Sequence, residues 1–210
     1  MGVSIIIPAY NEEGNIHQVL SIVSDMPDID EVLVVNDGSS DDTSAVACSY
    51  GVRVLDLPVN KGKGNAMYQG LMKTSGDIVV FLDADLVGLT KEQVIGLYKP
   101  VLDDIADMTL GIFSAGRGAT DLAQKLTPFL SGQRAVKRMY LQMLDEEEWT
   151  SGYGIEVALS RFANKHGLRV MNVPLVNVTH PMKEEKLGFF KGAAARMKMY
   201  WEIAKELVRI

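Results

Sequence analysis

Apolar residues over roughly the first 115 positions follow two alternating rhythms. Short, nearly unbroken runs rich in Val and Ile fall at Ser4–Pro8, Glu31–Asn36, Arg53–Leu57, Asp77–Asp83 and Met108–Phe113, which is how strands buried on both faces read. Between them, Ile16, Val19, Leu20 and Val23 recur at helical spacing within Glu12–Ser24. Asp41–Tyr50 starts from the cap-forming run Ser39-Ser40-Asp41-Asp42, and Thr90 with Gln93 makes a capping box for a helix running toward Pro100. The alternation predicts an α/β protein: a mostly parallel, Rossmann-like sheet flanked by helices. Ala115–Thr150 is less regular. Its glycine-rich start, Ser114-Ala115-Gly116-Arg117-Gly118, and the break at Pro128 suggest an inserted substrate region. A further strand is expected at Arg169–Val176, and Leu187–Ile210 reads as one amphipathic helix.

Composition narrows the picture. With 210 residues, 47% of them hydrophobic, the chain can bury one sizeable core, so a single domain is expected. A net charge of −6 removes the electrostatic incentive for gripping a polyphosphate backbone, so no nucleic-acid partner is expected. Cys48, the one cysteine, excludes an internal disulfide and reads as a small buried apolar residue. There is no basic leader at the start and no apolar stretch of the roughly 18 residues that a membrane span needs. The expected location is cytoplasmic, with membrane contact at most peripheral.

In open parallel sheets, ligands bind beyond the carboxyl ends of the strands. Here each such end is polar: Pro8-Ala9-Tyr10-Asn11-Glu12, Asn36-Asp37-Gly38-Ser39, Asn60-Lys61-Gly62-Lys63-Gly64 and Asp83-Ala84-Asp85. Residues two apart on an extended segment point the same way, so Asp83 and Asp85 can aim two carboxylates at one spot. Such a pair repels unless a cation lies between, and Mg²⁺ or Mn²⁺ held this way completes its shell with substrate phosphates. Asp37 can accept hydrogen bonds from a base or ribose edge. Lys63, between two glycines, can balance a phosphate charge.

These residues together resemble the nucleotide-sugar glycosyltransferases of the family 2 type, with the GT-A fold. The likeness is carried by Ile7-Pro8-Ala9-Tyr10-Asn11-Glu12, Val35-Asn36-Asp37-Gly38-Ser39-Ser40-Asp41, Asn60-Lys61-Gly62-Lys63-Gly64 and Phe81-Leu82-Asp83-Ala84-Asp85. The resemblance implies a donor half at 1–115, an acceptor and metal half at 116–186 and a terminal helix at 187–210. It implies that Pro8, Ala9, Tyr10, Glu12, Asp37, Ser39, Lys63, Asp83 and Ala84 line a pocket for a UDP- or GDP-sugar, with Asp83 toward the ribose or sugar. Asp85 would bind the Mg²⁺ or Mn²⁺, and His180 of Thr179-His180 would complete its shell.

Inverting members carry a Glu-Asp or Asp-Asp pair as general base, where this chain has Gly152-Tyr153-Gly154-Ile155-Glu156 with a single acid. That form, together with Gly116-Arg117 and the segment Leu130-Ser131-Gly132-Gln133-Arg134, looks more like the glucosyl-3-phosphoglycerate synthase branch, which retains anomeric configuration. There, Glu156 would hold donor sugar hydroxyls, and Gly116, Arg117 and Tyr153 would meet an acceptor, possibly a phosphorylated one, that the sequence does not identify. Asp85 and Glu156 are thus the expected catalytic residues.

Two other readings stand beside this one. In the first, a polyprenyl-phosphate glycosyltransferase resembling dolichyl-phosphate mannose synthase, the last helix lies on a bilayer: Lys183–Ile210 holds seven Lys or Arg against four Glu. The same helix can instead pack on the domain or on a second copy in a homodimer. The second is a nucleotidyltransferase or a non-catalytic nucleotide-binding module, although the Gly-x-Gly-Thr-Arg signature of the former is absent. The Gln-x-x-Arg-Trp motif of processive synthases is absent as well.

Overall fold

The computed structural model describes residues 1–114, 131–150 and 154–181. Met1–Thr179 forms one compact unit; of the second unit, His180–Ile210, only His180 and Pro181 are among the described residues.

Four βα steps build the first half in the expected order. They are β1 (Val3–Ala9), α1 (Ile16–Val23), β2 (Glu31–Asn36), α2 (Thr43–Ser49), β3 (Arg53–Asp56), α3 (Lys63–Lys73), β4 (Ile78–Phe81) and α4 (Lys91–Leu102). Then come β5 (Met108–Ser114), β6 (Arg134–Lys137), α5 (Arg138–Leu141), α6 (Glu146–Thr150), α7 (Ile155–Lys165) and β7 (Val170–Val176). Among the described residues the strands make one sheet of order β3-β2-β1-β4-β6-β5-β7. Pairings β1–β2, β1–β4, β2–β3 and β5–β7 are parallel, while β6 runs antiparallel to both β4 and β5.

Strand β6 corrects the reading of Ala115–Thr150 as an insertion: Arg134–Lys137 sits inside the sheet, pairing Phe81 with Arg134. Cys48 is also corrected. It is exposed at the end of α2, because the apolar face of that short helix is spent on Ala47.

The period of two in the strands sorts the core into two layers. From β1, Ile5 and Ile7 face α1 and α4, meeting Val19, Leu20, Leu97 and Val101. Ile6, Leu33, Val35 and Phe81 face the other way, toward Met67 and Leu71 of α3, Trp149 and Leu159 of α7. Gly70 lets α3 lie close on β1, for a Cβ there would come within 2.5 Å of the Ile6 side chain. Thr90 caps α4 reciprocally with Gln93, as its spacing predicts.

At the end of the sheet opposite the polar loops, Asp107 ties β7 to β5 and β6. Its carboxylate accepts from the Arg169 backbone and guanidinium and from Lys137 at 2.6–3.0 Å. Those cations hold its carboxyl well below the usual range.

Candidate active site

The carboxyl ends of β1, β2 and β4 and the start of α3 surround a cleft of about 330 Å³. Of the nine residues expected for a donor pocket, eight line it: Pro8, Ala9, Tyr10, Glu12, Asp37, Lys63, Asp83 and Ala84. Asp85 lines it too. Ser39 does not; its hydroxyl accepts from the Asn11 backbone and stitches the first loop to the second. Asn11 stands at φ 55° and returns the contact through Ser40, whose N–H donates to its side-chain oxygen at 2.9 Å. Glu12 is held alongside, its N–H donating to Thr43 Oγ1 at 2.8 Å.

Asp37 does more than face a ligand. It is buried, and its two oxygens accept the backbone N–H groups of Lys61 at 3.0 Å and Gly62 at 2.8 Å. The end of β2 thereby fixes the loop that delivers Lys63. Gly62 takes φ 93° there, a conformation that L side chains rarely adopt.

Lys63, expected in a loop between two glycines, opens α3, where its ammonium is clamped between two carboxylates. Nζ lies 2.5 Å from Asp83 Oδ1 and 2.6 Å from Glu156 Oε1. Burial opposes the charge on this amine, but the two acids outweigh it and hold its pKa above the ordinary lysine value. Glu156, at the start of α7, shows the converse: burial pushes its carboxyl up, and Lys63 pulls it below the usual value. The structure therefore joins two residues 93 positions apart, Lys63 and Glu156.

Beneath them lies Arg134, fully buried, its guanidinium lowered to about 10 by burial against the pull of Glu156 and Asp83. Its Nη1 donates to the Glu156 carbonyl at 3.4 Å and its Nη2 to that of Ser131. Gln133 donates to Asp83 Oδ2 at 2.7 Å. Neither Gln133 nor Arg134 was among the expected site residues. Four residues of strand carry too short a pattern to announce themselves, and the signal available in the sequence was the likeness of Leu130-Ser131-Gly132-Gln133-Arg134 to the resembling branch.

Past the cleft, Thr179 is paired with Val87 through both backbone bonds, at 2.9 and 3.0 Å. That pairing sets where the next residue, His180, begins. Asp83, Asp85 and His180 each offer one ligand atom, and these atoms lie within 4.8 Å of one another. Two carboxylates and an imidazole at that spacing suit a divalent cation that keeps positions open for phosphate oxygens. His17 and His166 are exposed. Gly116, Arg117, Tyr153 and the helix expected at 187–210 lie outside the described residues. Among the described residues no helix is long and apolar enough to cross a membrane.

Comparison with known proteins gives concordant matches. The model of the family described as "Glycosyl transferase family 2" matches residues 4–167. Glucosyl-3-phosphoglycerate synthase of Mycobacterium tuberculosis H37Rv is 33% identical over 194 residues, covering 75% of this chain and 59% of that protein. This chain thus spans about three fifths of the length of that curated relative. The 4,4'-diaponeurosporenoate glycosyltransferase of Staphylococcus aureus MRSA252 is 42% identical over 97 residues, 43% of this chain and 26% of that one. Among solved structures, the M. tuberculosis synthase with Mn²⁺, UDP-glucose and phosphoglyceric acid matches with a TM-score of 0.71 and 33% identity. That match covers 86% of this chain and 72% of the other. The same enzyme with Mn²⁺, UDP-glucose and glycerol 3-phosphate matches with a TM-score of 0.70 and 32% identity, over 86% of this chain and 72% of that one. These likenesses agree with the GT-A type of α/β fold expected from the motifs.

Proposed function

Since the chain belongs to glycosyl transferase family 2, we propose that it moves a sugar from a UDP-sugar, bound with Mg²⁺ or Mn²⁺, to a small phosphorylated acceptor. The observation that carries this reading is the cleft at the strand ends, where eight donor-motif residues and Asp85 converge around the clamped Lys63. The M. tuberculosis synthase, bound to UDP-glucose with phosphoglyceric acid or glycerol 3-phosphate, supports the choice of uridine and of a phosphorylated acceptor.

In this proposal Asp85 and His180 hold the cation, with Asp83 beside them. The bound cation would supply neutralising charge to the diphosphate as it leaves. Tyr10 is about half exposed at the cleft mouth, a suitable face for a planar base. Pro8 and Ala9 form the apolar floor, and Glu12 and Asp37 brace the loops around the nucleoside.

The bond from C1 of the sugar to the diphosphate oxygen breaks, and one from C1 to the acceptor oxygen forms. A general base needs a pKa near the working pH, and Lys63 holds Glu156 in the opposite direction. Glu156 therefore serves as a hydrogen-bond acceptor for donor sugar hydroxyls, the role it has in the resembling branch, and the acceptor proton leaves with the departing diphosphate. Gly116, Arg117 and Tyr153 are proposed for the acceptor side.

The test is mass-spectrometric detection of product from UDP-glucose and GDP-mannose, each offered 3-phosphoglycerate or glycerol 3-phosphate with Mn²⁺. A phosphorylated glycoside formed from UDP-glucose is expected. UDP release that no phosphorylated acceptor stimulates would overturn the acceptor class.

A lipid-linked acceptor is the competing reading. It draws on the lysines at 191, 198 and 205 and on the likeness of a 97-residue stretch to the S. aureus enzyme. Co-sedimentation with anionic vesicles, lost when the chain stops near Lys186, would favour it, whereas a homodimer that the same truncation dissolves would assign the last helix to a second copy instead.

A further inference from the structure

Ser131-Gly132-Gln133-Arg134 takes no part in lining the cleft, yet Gln133 bonds the Asp83 carboxylate and Arg134 reaches the Glu156 carbonyl. Gln133 is fully buried, and its main chain is fixed to β5 by the Gly111 N–H, which donates to its carbonyl at 2.8 Å. Ser131 Oγ, bonded to the Gly111 carbonyl at 2.5 Å, also lies 3.1 Å from the Gln133 side-chain oxygen, and the amide NH₂ faces Asp83. That NH₂ reaches Asp83 Oδ2 at 2.7 Å, while Lys63 holds Oδ1 at 2.5 Å. Each oxygen of one carboxylate is thus gripped from a different element, α3 on one side and the approach to β6 on the other.

Gly132 packs over the same ion pair. A Cβ there would stand 2.6 Å from Lys63 Nζ and 2.7 and 2.8 Å from the Asp83 oxygens. Arg134 adds a buried positive charge below Glu156.

We infer that Gln133 is a positioning residue for sugar transfer: together with Lys63 it holds the Asp83 carboxylate in the orientation that meets the donor. This rests on the reading of the cleft as a nucleotide-sugar site. The physical ground is the number of free torsions. An Asp side chain at the rim of an open cleft has two, and a donor on each oxygen removes both before ligand arrives, so that binding does not have to. Burial makes the grip specific, because an amide with no other outlet must keep its donor on the carboxylate.

The experiment is calorimetric titration of UDP with Mn²⁺ into wild type, Gln133→Met and Gln133→Glu, with the melting temperature of each free protein. Met keeps the shape and removes the donor, and about tenfold weaker UDP binding is expected. Glu puts a carboxylate against Asp83, and the loss should be larger still. Where Gln133→Met does not fold, Ser131→Ala, which frees the amide without touching Asp83, carries the test with an expected loss of about threefold. A role in stability alone would lower the melting temperature and leave the UDP affinity of the folded protein unchanged, and that result overturns the assignment. Wild type that binds no UDP overturns the reading of the cleft itself, so the two failures are told apart.

Discussion

Replacing Lys63 with Met tests the arrangement of charge without any ligand. In the folded protein one ammonium separates Asp83 and Glu156, at 2.5 and 2.6 Å. Met is unbranched and of similar length, so it removes the charge with little change of shape. Breaking a buried ion pair costs about 3–5 kcal/mol. These carboxylates keep 18% and 17% of their side-chain surface exposed, which lowers the expected loss at pH 8 to about 2–4 kcal/mol.

The pH profile is the sharper part. Burial and the neighbouring Asp83 push the Glu156 carboxyl up, and Lys63 overrides them, leaving it below the ordinary value of 4.5. In wild type, both folded and unfolded chains are therefore ionised at this group from pH 5 to 8, and it contributes no slope. Stability from this group is full above the unfolded value of 4.5 and lost as pH falls through the lower folded value. Without Lys63 the two raising influences remain against the weaker pull of Arg134 alone, and the folded pair keeps a proton that the unfolded chain releases. The sign then reverses: Lys63→Met should lose stability as pH rises, by up to about 1.4 kcal/mol per unit. Urea unfolding at pH 5, 6.5 and 8, without metal or nucleotide, reads this directly. A Lys63→Met profile parallel to wild type would refute the reasoning, whatever its offset.

Two further outcomes follow from the scaffold. Asp107→Asn should lose about 2 kcal/mol at pH 7 by urea unfolding, since the carboxylate, largely buried, anchors Arg169 and Lys137. The folded pKa of Asp107 lies below the ordinary value of 3.8, so its stabilisation is present above that value and fades as pH falls through the folded one; the deficit of the variant should shrink below pH 4. Thr90→Ala removes a reciprocal cap from α4 and should cost about 1 kcal/mol in the same assay, with no effect on nucleotide binding.

Strands β1, β2 and β4 were legible because each is a largely buried run rich in Val and Ile, and the polar loop after each stands out against it; β3, at the sheet edge, has no buried residue. The same contrast placed eight of the nine donor-pocket residues on one cleft. Ser39 faces the Asn11 backbone instead, a detail that depends on the left-handed turn at Asn11. Strand β6 was missed because four residues carry too little periodicity, and its antiparallel entry between β4 and β5 is decided by long-range pairing alone. The clamp on Lys63 was out of reach for the same reason: nothing local connects Lys63 to a glutamate 93 positions later. Cys48 misled because small size predicts burial on average, whereas α2 buries Thr43 and Ala47 and turns Cys48 outward.

The central claim, a metal-assisted UDP-sugar site at the strand ends, is tested most directly by a thermal-shift titration with UDP and GDP, with and without Mn²⁺, on wild type and Asp85→Ala. At a hundredfold excess over the dissociation constant, UDP with Mn²⁺ should raise the melting temperature of wild type by about 5–10 °C. GDP should do less, and Asp85→Ala, melting like wild type when free, should lose the Mn²⁺-dependent shift. No shift in wild type with either nucleotide, or an undiminished shift in Asp85→Ala, would contradict the account.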